Sequence, residues 1–156
     1  MQEYLQRIRI EFPEFAFANA RMVTDGADHL VFVIDEAWIF RFPKTDEYRE
    51  SFKREVELLD ELNGKTVVRV PHYEFLSKEK DFGGYKMIPG GELRIEKFFA
   101  LEERVQQLIP KQMGEFLSVL HKLPEKYGVL NEEPWSQRQN YDAPTATKRS
   151  LGWSSY

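Results

Sequence analysis

Trp38-Ile39-Phe40-Arg41-Phe42-Pro43-Lys44 is the stretch on which the fold turns. Side chains alternate across a strand, so Trp38, Phe40 and Phe42 take one face while Ile39 and Arg41 share the other. Arg41 is then a cation among apolar neighbours on a strand, and it needs a partner. Working backwards, Leu30 to Ile34 is an apolar run, and Asp35-Glu36 separates it from the strand Ala37–Phe42. Earlier still, Phe15 to Val23 alternates loosely and stops at Thr24-Asp25-Gly26. Three strands with short connections predict an antiparallel meander. Before them, Tyr4, Leu5, Ile8 and Phe12 recur near helical spacing, and Pro13 ends a helix over roughly residues 2–12.

Working forwards, Thr45 or Asp46 offers an N-cap to a helix over 46–63. Its apolar stripe is Tyr48, Phe52, Val56, Leu59 and Leu62, and Asn63-Gly64 stops it. Glu55 lies three residues after Phe52 and four before Leu59, so it borders the stripe and is the natural ion partner of Arg41. A cation held by a carboxylate can present its remaining donors to phosphate oxygens. Such a pair can also serve only to stabilise the sheet and helix.

Val67 to Leu76 predicts a strand that Pro71 breaks or confines to an edge. Ser77 to Gly84 reads as a hairpin loop and Tyr85 to Ile88 as a short strand. Pro89-Gly90-Gly91 marks the junction between two lobes. Beyond it, Leu101, Val105 and Leu108 share a helical face. Pro110 is expected to open a new helix near 110–122, with Met113, Phe116, Leu117 and Leu120 as its buried stripe. Residues 125–156 carry two of the three Trp and many polar residues without apolar period, and predict a loosely ordered tail. The organisation expected is therefore a lobe over 1–90, the start of a helical lobe over 91–124, and the tail 125–156.

Composition limits the function. The chain has 156 residues, 42% hydrophobic and 14% aromatic, enough for a folded core. With 22 Lys and Arg against 26 Asp and Glu, the net charge of −4 gives no basic footprint for nucleic acid. There is no Cys, hence no disulfide framework and no thiolate metal site. No apolar run is long enough for a membrane span or a signal peptide, so a soluble cytoplasmic protein is expected.

Two further segments can carry chemistry. The turn Thr24 to His29 contains Gly26 and can expose backbone N–H groups to an anion, although Asp25 and Asp28 oppose a bare phosphate. The segment Lys86-Met87-Ile88 can offer backbone groups to a base edge, with Val33, Ile39 and Ile88 around the ring. Each also reads as an ordinary turn or edge strand.

Trp38 to Lys44, then Arg54-Glu55-Val56-Glu57-Leu58-Leu59, then Tyr85-Lys86-Met87-Ile88-Pro89-Gly90, then Phe116-Leu117-Ser118-Val119-Leu120-His121 together resemble the aminoglycoside phosphotransferase family, most of all its 2''-type enzymes. The resemblance covers roughly residues 15–123. It implies an α+β fold: a protein-kinase-like N-terminal lobe, five antiparallel strands with one inserted helix, followed by helices of an incomplete C-terminal lobe. It implies that Arg41 contacts the nucleotide phosphates, that Glu55 orients it, that Lys86, Met87 and Ile88 form the hinge at the purine, and that Gly26 lies in the loop over the phosphates. Ile39 belongs to the same nucleotide-binding set. Lys44 follows Pro43 and is set aside as a phosphate contact, and His121 is taken as structural. The implied cofactor is ATP or GTP with Mg²⁺, and the implied acceptor is an aminoglycoside or another small hydroxyl compound.

The family's catalytic loop has the form His-x-Asp-x-x-x-x-Asn. Two residues after His29, His72 and His121 stand Val31, Glu74 and Leu123, so this sequence does not contain it. No catalytic residue is assigned. The expectation is the nucleotide-binding portion of a phosphotransferase, truncated before that loop. A non-catalytic nucleotide- or protein-binding module, and a non-functional fragment that self-associates through the Met113–Leu120 face, remain as alternatives.

Overall fold

The computed structural model describes residues 1–23 and 28–123. Helix α1 spans Gln2–Glu11. Strands β1 (Ala20–Val23), β2 (His29–Ile34) and β3 (Trp38–Pro43) follow, then helix α2 (Asp46–Leu62). Strands β4 (Tyr73–Leu76) and β5 (Gly83–Lys86) come next, then helices α3 (Ile95–Phe99) and α4 (Glu103–Leu120). The five strands make one sheet in the order β1-β2-β3-β5-β4, and every neighbouring pair is antiparallel.

The alternation in β3 holds. Phe40 and Phe42 are buried on one face together with Phe32 and Ile34 from β2. Helix α1 covers that face with Leu5, Ile8 and Phe12. Phe42 stacks on Phe82 with ring centroids 4.4 Å apart, and Phe12 meets both Phe75 and Phe82. Each buried phenyl contributes about 1.5–3 kcal/mol of transfer free energy, which makes this aromatic cluster the dominant stabilising element. Helix α2 lies on the opposite face. Thr45 caps it by accepting from the Tyr48 amide at 3.3 Å. Gly64, with φ +72°, follows its C-cap in the left-handed conformation expected of a helix stop.

The β2–β3 connection is tight. Asp35 and Glu36 both take positive φ, 46° and 50°, and the Ala37 amide returns to the Ile34 carbonyl at 3.0 Å. The Asp35 carboxylate also accepts from the Asn19 amide at 2.7 Å and from Ala18. This explains one departure from the sequence reading. The strand expected over Phe15–Val23 begins only at Ala20. The two amides before it turn toward Asp35, and Phe15 packs against Trp38, Phe40 and Phe75 instead of joining a ladder.

Other boundaries are corrected as well. The strand expected over 67–76 forms only at Tyr73–Leu76, beyond Pro71, and it lies at the edge of the sheet. Gly83 and Gly84, read as the end of a loop, are buried residues of β5 between β3 and β4. Pro110 does not open a helix; it lies inside α4. Apolar residues continue at helical spacing on both sides of it, from Val105 and Ile109 to Met113, Phe116 and Leu120, so the helix runs through and forgoes one backbone bond. The stripe expected to be buried on α4 is not: α3 and α4 carry no buried residue, and Met113 is 59% exposed.

Candidate functional site

The face of the sheet beneath α2 is assembled by register. Val31 pairs with Arg41, and Val33 pairs with Ile39. Ile39 pairs with Tyr85, and Tyr85 pairs with Tyr73 on the edge strand. His29, two residues before Val31, joins the same face by alternation. Helix α2 lays Phe52 and Glu55 over it. Phe52 is fully buried, with its ring 5.2 Å from Tyr73 and 6.0 Å from His29.

Arg41 and Glu55 meet in a direct ion pair between Nη1 and Oε1. Tyr73 closes the group. Its hydroxyl accepts from Arg41 Nη1 at 3.1 Å and donates to Glu55 Oε1 at 3.2 Å. The second guanidinium nitrogen, Nη2, lies 3.3 Å from His29 Nδ1. The Arg41 and Glu55 side chains are 22% and 30% exposed, so the pair is neither sealed nor fully solvated. Burial alone would disfavour the Arg41 charge. Tyr73 and Glu55 outweigh it and push its pKa above the usual arginine value. Burial pushes the Tyr73 phenol far up, so it remains a neutral hydrogen-bonding bridge.

This arrangement fixes a cation on a sheet floor, with its carboxylate partner supplied by a helix. Its chemical capacity is anion binding: a guanidinium carries five N–H donors, of which Glu55 and Tyr73 engage those on Nη1 and His29 faces Nη2.

The remaining expected residues are placed as follows. Ile39 is half-buried on the same face as Arg41. The Lys86 side chain points to the other face, where its Nζ lies 5.4 Å from the Trp38 ring centre and 3.7 Å from Glu74. Met87 and Ile88 continue past β5 and are 37% and 38% exposed. The Met87 amide donates to the Ala37 carbonyl at 2.8 Å, so that N–H is already engaged within the protein. An open recess of about 410 Å³ borders Lys86, Met87 and Ile88 on one side and Asn63, Val68 and His72 on the other. It does not reach Arg41, Glu55 or Ile39. Gly26 falls outside the described residues.

Sequence reasoning missed Tyr73 and His29. His29 was accessible from alternation in β2 once its register with β3 is known. Tyr73 was not, because β5 separates β4 from β3 only in the folded sheet. Among the described residues, no three His, Asp or Glu side chains converge as a group. No helix among them is long and apolar enough to cross a membrane.

Comparison with known proteins agrees with this layout. The GDP and kanamycin complex of APH(2'')-IIIa superposes with a TM-score of 0.71 at 23% identity, covering 83% of this chain and 44% of that one. ADP-bound aminoglycoside phosphotransferase APH(2'')-Ib gives 0.65 at 26% identity, covering 78% and 40%. The streptomycin–ATP ternary complex of APH(2'')-IIa gives 0.64 at 26% identity, with the same coverage. The chain thus spans less than half the length of these enzymes, and the fold it shares with them is the kinase-like α+β lobe, a five-stranded antiparallel sheet with α2 inserted after β3. The model of the phosphotransferase enzyme family matches residues 19–154, and the chain belongs to that family.

Proposed function

We propose that this chain binds a nucleoside triphosphate, with Arg41 facing the phosphates, Glu55 and Tyr73 holding Arg41 in place, and the Lys86–Ile88 segment bordering the base. The observation that carries the reading is the Arg41–Glu55–Tyr73 group on the sheet face under α2. Support also comes from the similar enzymes, whose solved structures hold GDP, ADP or ATP. Ile39 would line the same site, and the family resemblance would put Gly26 with the phosphates.

The purine would meet backbone groups of the 86–88 segment other than the Met87 amide, which Ala37 already engages. Residues 1–90 form the nucleotide-binding lobe in this reading, and residues 91–124 begin a second, helical one. The activity served is transfer of the γ-phosphoryl group to the hydroxyl of an aminoglycoside or a related small molecule. Mg²⁺ would accompany the nucleotide. Transfer also needs a catalytic carboxylate, and the family's His-x-Asp loop is not in this sequence. The isolated chain is therefore expected to bind nucleotide without measurable turnover.

The test is thermal unfolding with and without MgATP or MgGTP, on the wild type and on Arg41→Ala. Ligand that binds only the folded state raises the melting temperature by mass action. The expected result is a rise for the wild type that Arg41→Ala abolishes. No rise with either nucleotide at millimolar concentration defeats the reading. A kanamycin phosphorylation assay on the same samples should give no product.

A further inference from the structure

The two terminal nitrogens of Arg41 have different partners. Nη1 serves Glu55 and Tyr73, and Nη2 faces His29 Nδ1 at 3.3 Å. A guanidinium can only donate. Nδ1 must therefore carry a lone pair, and the ring's single proton sits on Nε2. Nε2 is buried, and among the described residues nothing accepts from it. A second ring proton would have to occupy Nδ1, where it would point an N–H at a cation. The charged groups facing the ring come from every side: Arg41 on β3, Glu55 on α2, Lys44 just after β3, and the adjacent Asp28. Burial first and Arg41 second push the imidazole below its ordinary value, and Lys44 adds to this; Glu55 and Asp28 oppose it without prevailing.

We propose that His29 is a positioning residue for Arg41: the neutral ring fixes Nη2, and protonation of the ring releases the guanidinium from the geometry in which it meets nucleotide phosphates. The inference rests on the nucleotide reading for its consequence, but its geometric half stands apart from that reading. His29 is the first residue of β2, on the strand next to the one that carries Arg41. Asparagine can replace the function without the titration. Its Oδ1 is as many bonds from Cα as Nδ1 is, it accepts hydrogen bonds, and it does not ionise.

Two measurements decide it. The first is ¹⁵N NMR of the His29 ring across a pH series, in the wild type and in Arg41→Met. The neutral Nε2–H tautomer is expected at pH 7, together with a His29 pKa that rises when the Arg41 charge is removed. A protonated Nδ1 at pH 7, or a pKa indifferent to Arg41→Met, overturns the proposal whether or not nucleotide binds. The second is affinity for a fluorescent ATP analogue with Mg²⁺ from about pH 7.5 to about pH 5. The wild type should lose about tenfold in affinity beyond the loss seen in His29→Asn, which shares the titration of the nucleotide phosphates themselves. His29→Leu, lacking the acceptor, should bind about five- to tenfold more weakly than His29→Asn at pH 7.5. Parallel pH profiles for wild type and His29→Asn would sink the switch. Failure of all three to bind at any pH would defeat the nucleotide reading, leaving the NMR result to judge the Arg41–His29 coupling. Melting curves at each pH confirm that each variant is folded.

Discussion

Gly84 lies directly beneath the ring of Phe40. The two are register partners, and a β-carbon on Gly84 would fall 2.5 Å from Phe40 Cζ. Phe40 covers the glycine, Phe75 lies against Phe40 at 5.8 Å, and the whole aromatic face depends on that close approach. The strand that carries Gly84 also carries Tyr85 onto the opposite face, so the packing of one side of the sheet sets the position of the candidate site on the other.

Gly84→Ala should therefore destabilise the fold by about 1–3 kcal/mol, because Phe40 is fully buried and its ring cannot swing aside without disturbing Phe12, Phe15 and Phe75. Urea unfolding of the variant measures this. A variant as stable as the wild type would mean the ring has room that the packing does not provide.

Arg7 on α1 reaches Asp81 in the β4–β5 turn at 2.6 Å, and its guanidinium lies over Phe82 with 4.8 Å to the ring centre. Burial raises the Asp81 pKa, but bonds from Arg7 and Ser77 outweigh it and hold the carboxyl below its ordinary value. The stabilisation is then complete above the unfolded value near pH 3.9 and is lost as pH falls through the lower folded value. Asp81→Asn should cost about 1 kcal/mol at pH 7, since Arg7 is half exposed and solvent screens the pair. The gap between variant and wild type should close as pH falls through that lower value. A gap that widens in acid would reverse the assigned direction.

Tyr73→Phe removes one hydroxyl that bonds both Arg41 and Glu55. Stability should fall by about 1 kcal/mol, and nucleotide-induced stabilisation should fall with it if the phenol holds Arg41. The folded chain keeps this phenol neutral more tightly than the unfolded chain does. Its contribution is whole below about pH 10 and declines at higher pH. Denaturation curves of both proteins at pH 7 and at about pH 10.5 provide the check; an unchanged difference between them would contradict the partly buried position of the Tyr73 phenol.

Pro110→Ala restores one backbone N–H inside α4. In an exposed helix interior, proline costs about 3 kcal/mol relative to alanine. The variant should show more helical circular dichroism and a higher melting temperature. A loss of helicity would indicate that the helix needs the proline to set its path.

The local grammar of the chain determined much by itself. Period-two alternation placed Arg41 opposite Phe40 and Phe42, and the three- and four-residue spacing of α2 placed Glu55 on the face that meets it. Thr45 and Gly64 marked the ends of that helix through side-chain capping and left-handed tolerance. These features depend on covalent geometry within a few residues, so they are written locally. Tertiary structure alone decided what depends on which distant segments become neighbours. The insertion of β5 between β3 and β4 turned Gly83 and Gly84 from apparent loop residues into core, and brought Tyr73 across to Arg41. The Asp35 carboxylate drew the Ala18 and Asn19 amides out of a strand. The β2–β3 register set His29 against the free side of the guanidinium. Strand order and register are settled by the packing of the whole sheet between α1 and α2, and a periodic pattern shows which face a residue takes without showing what it will meet there.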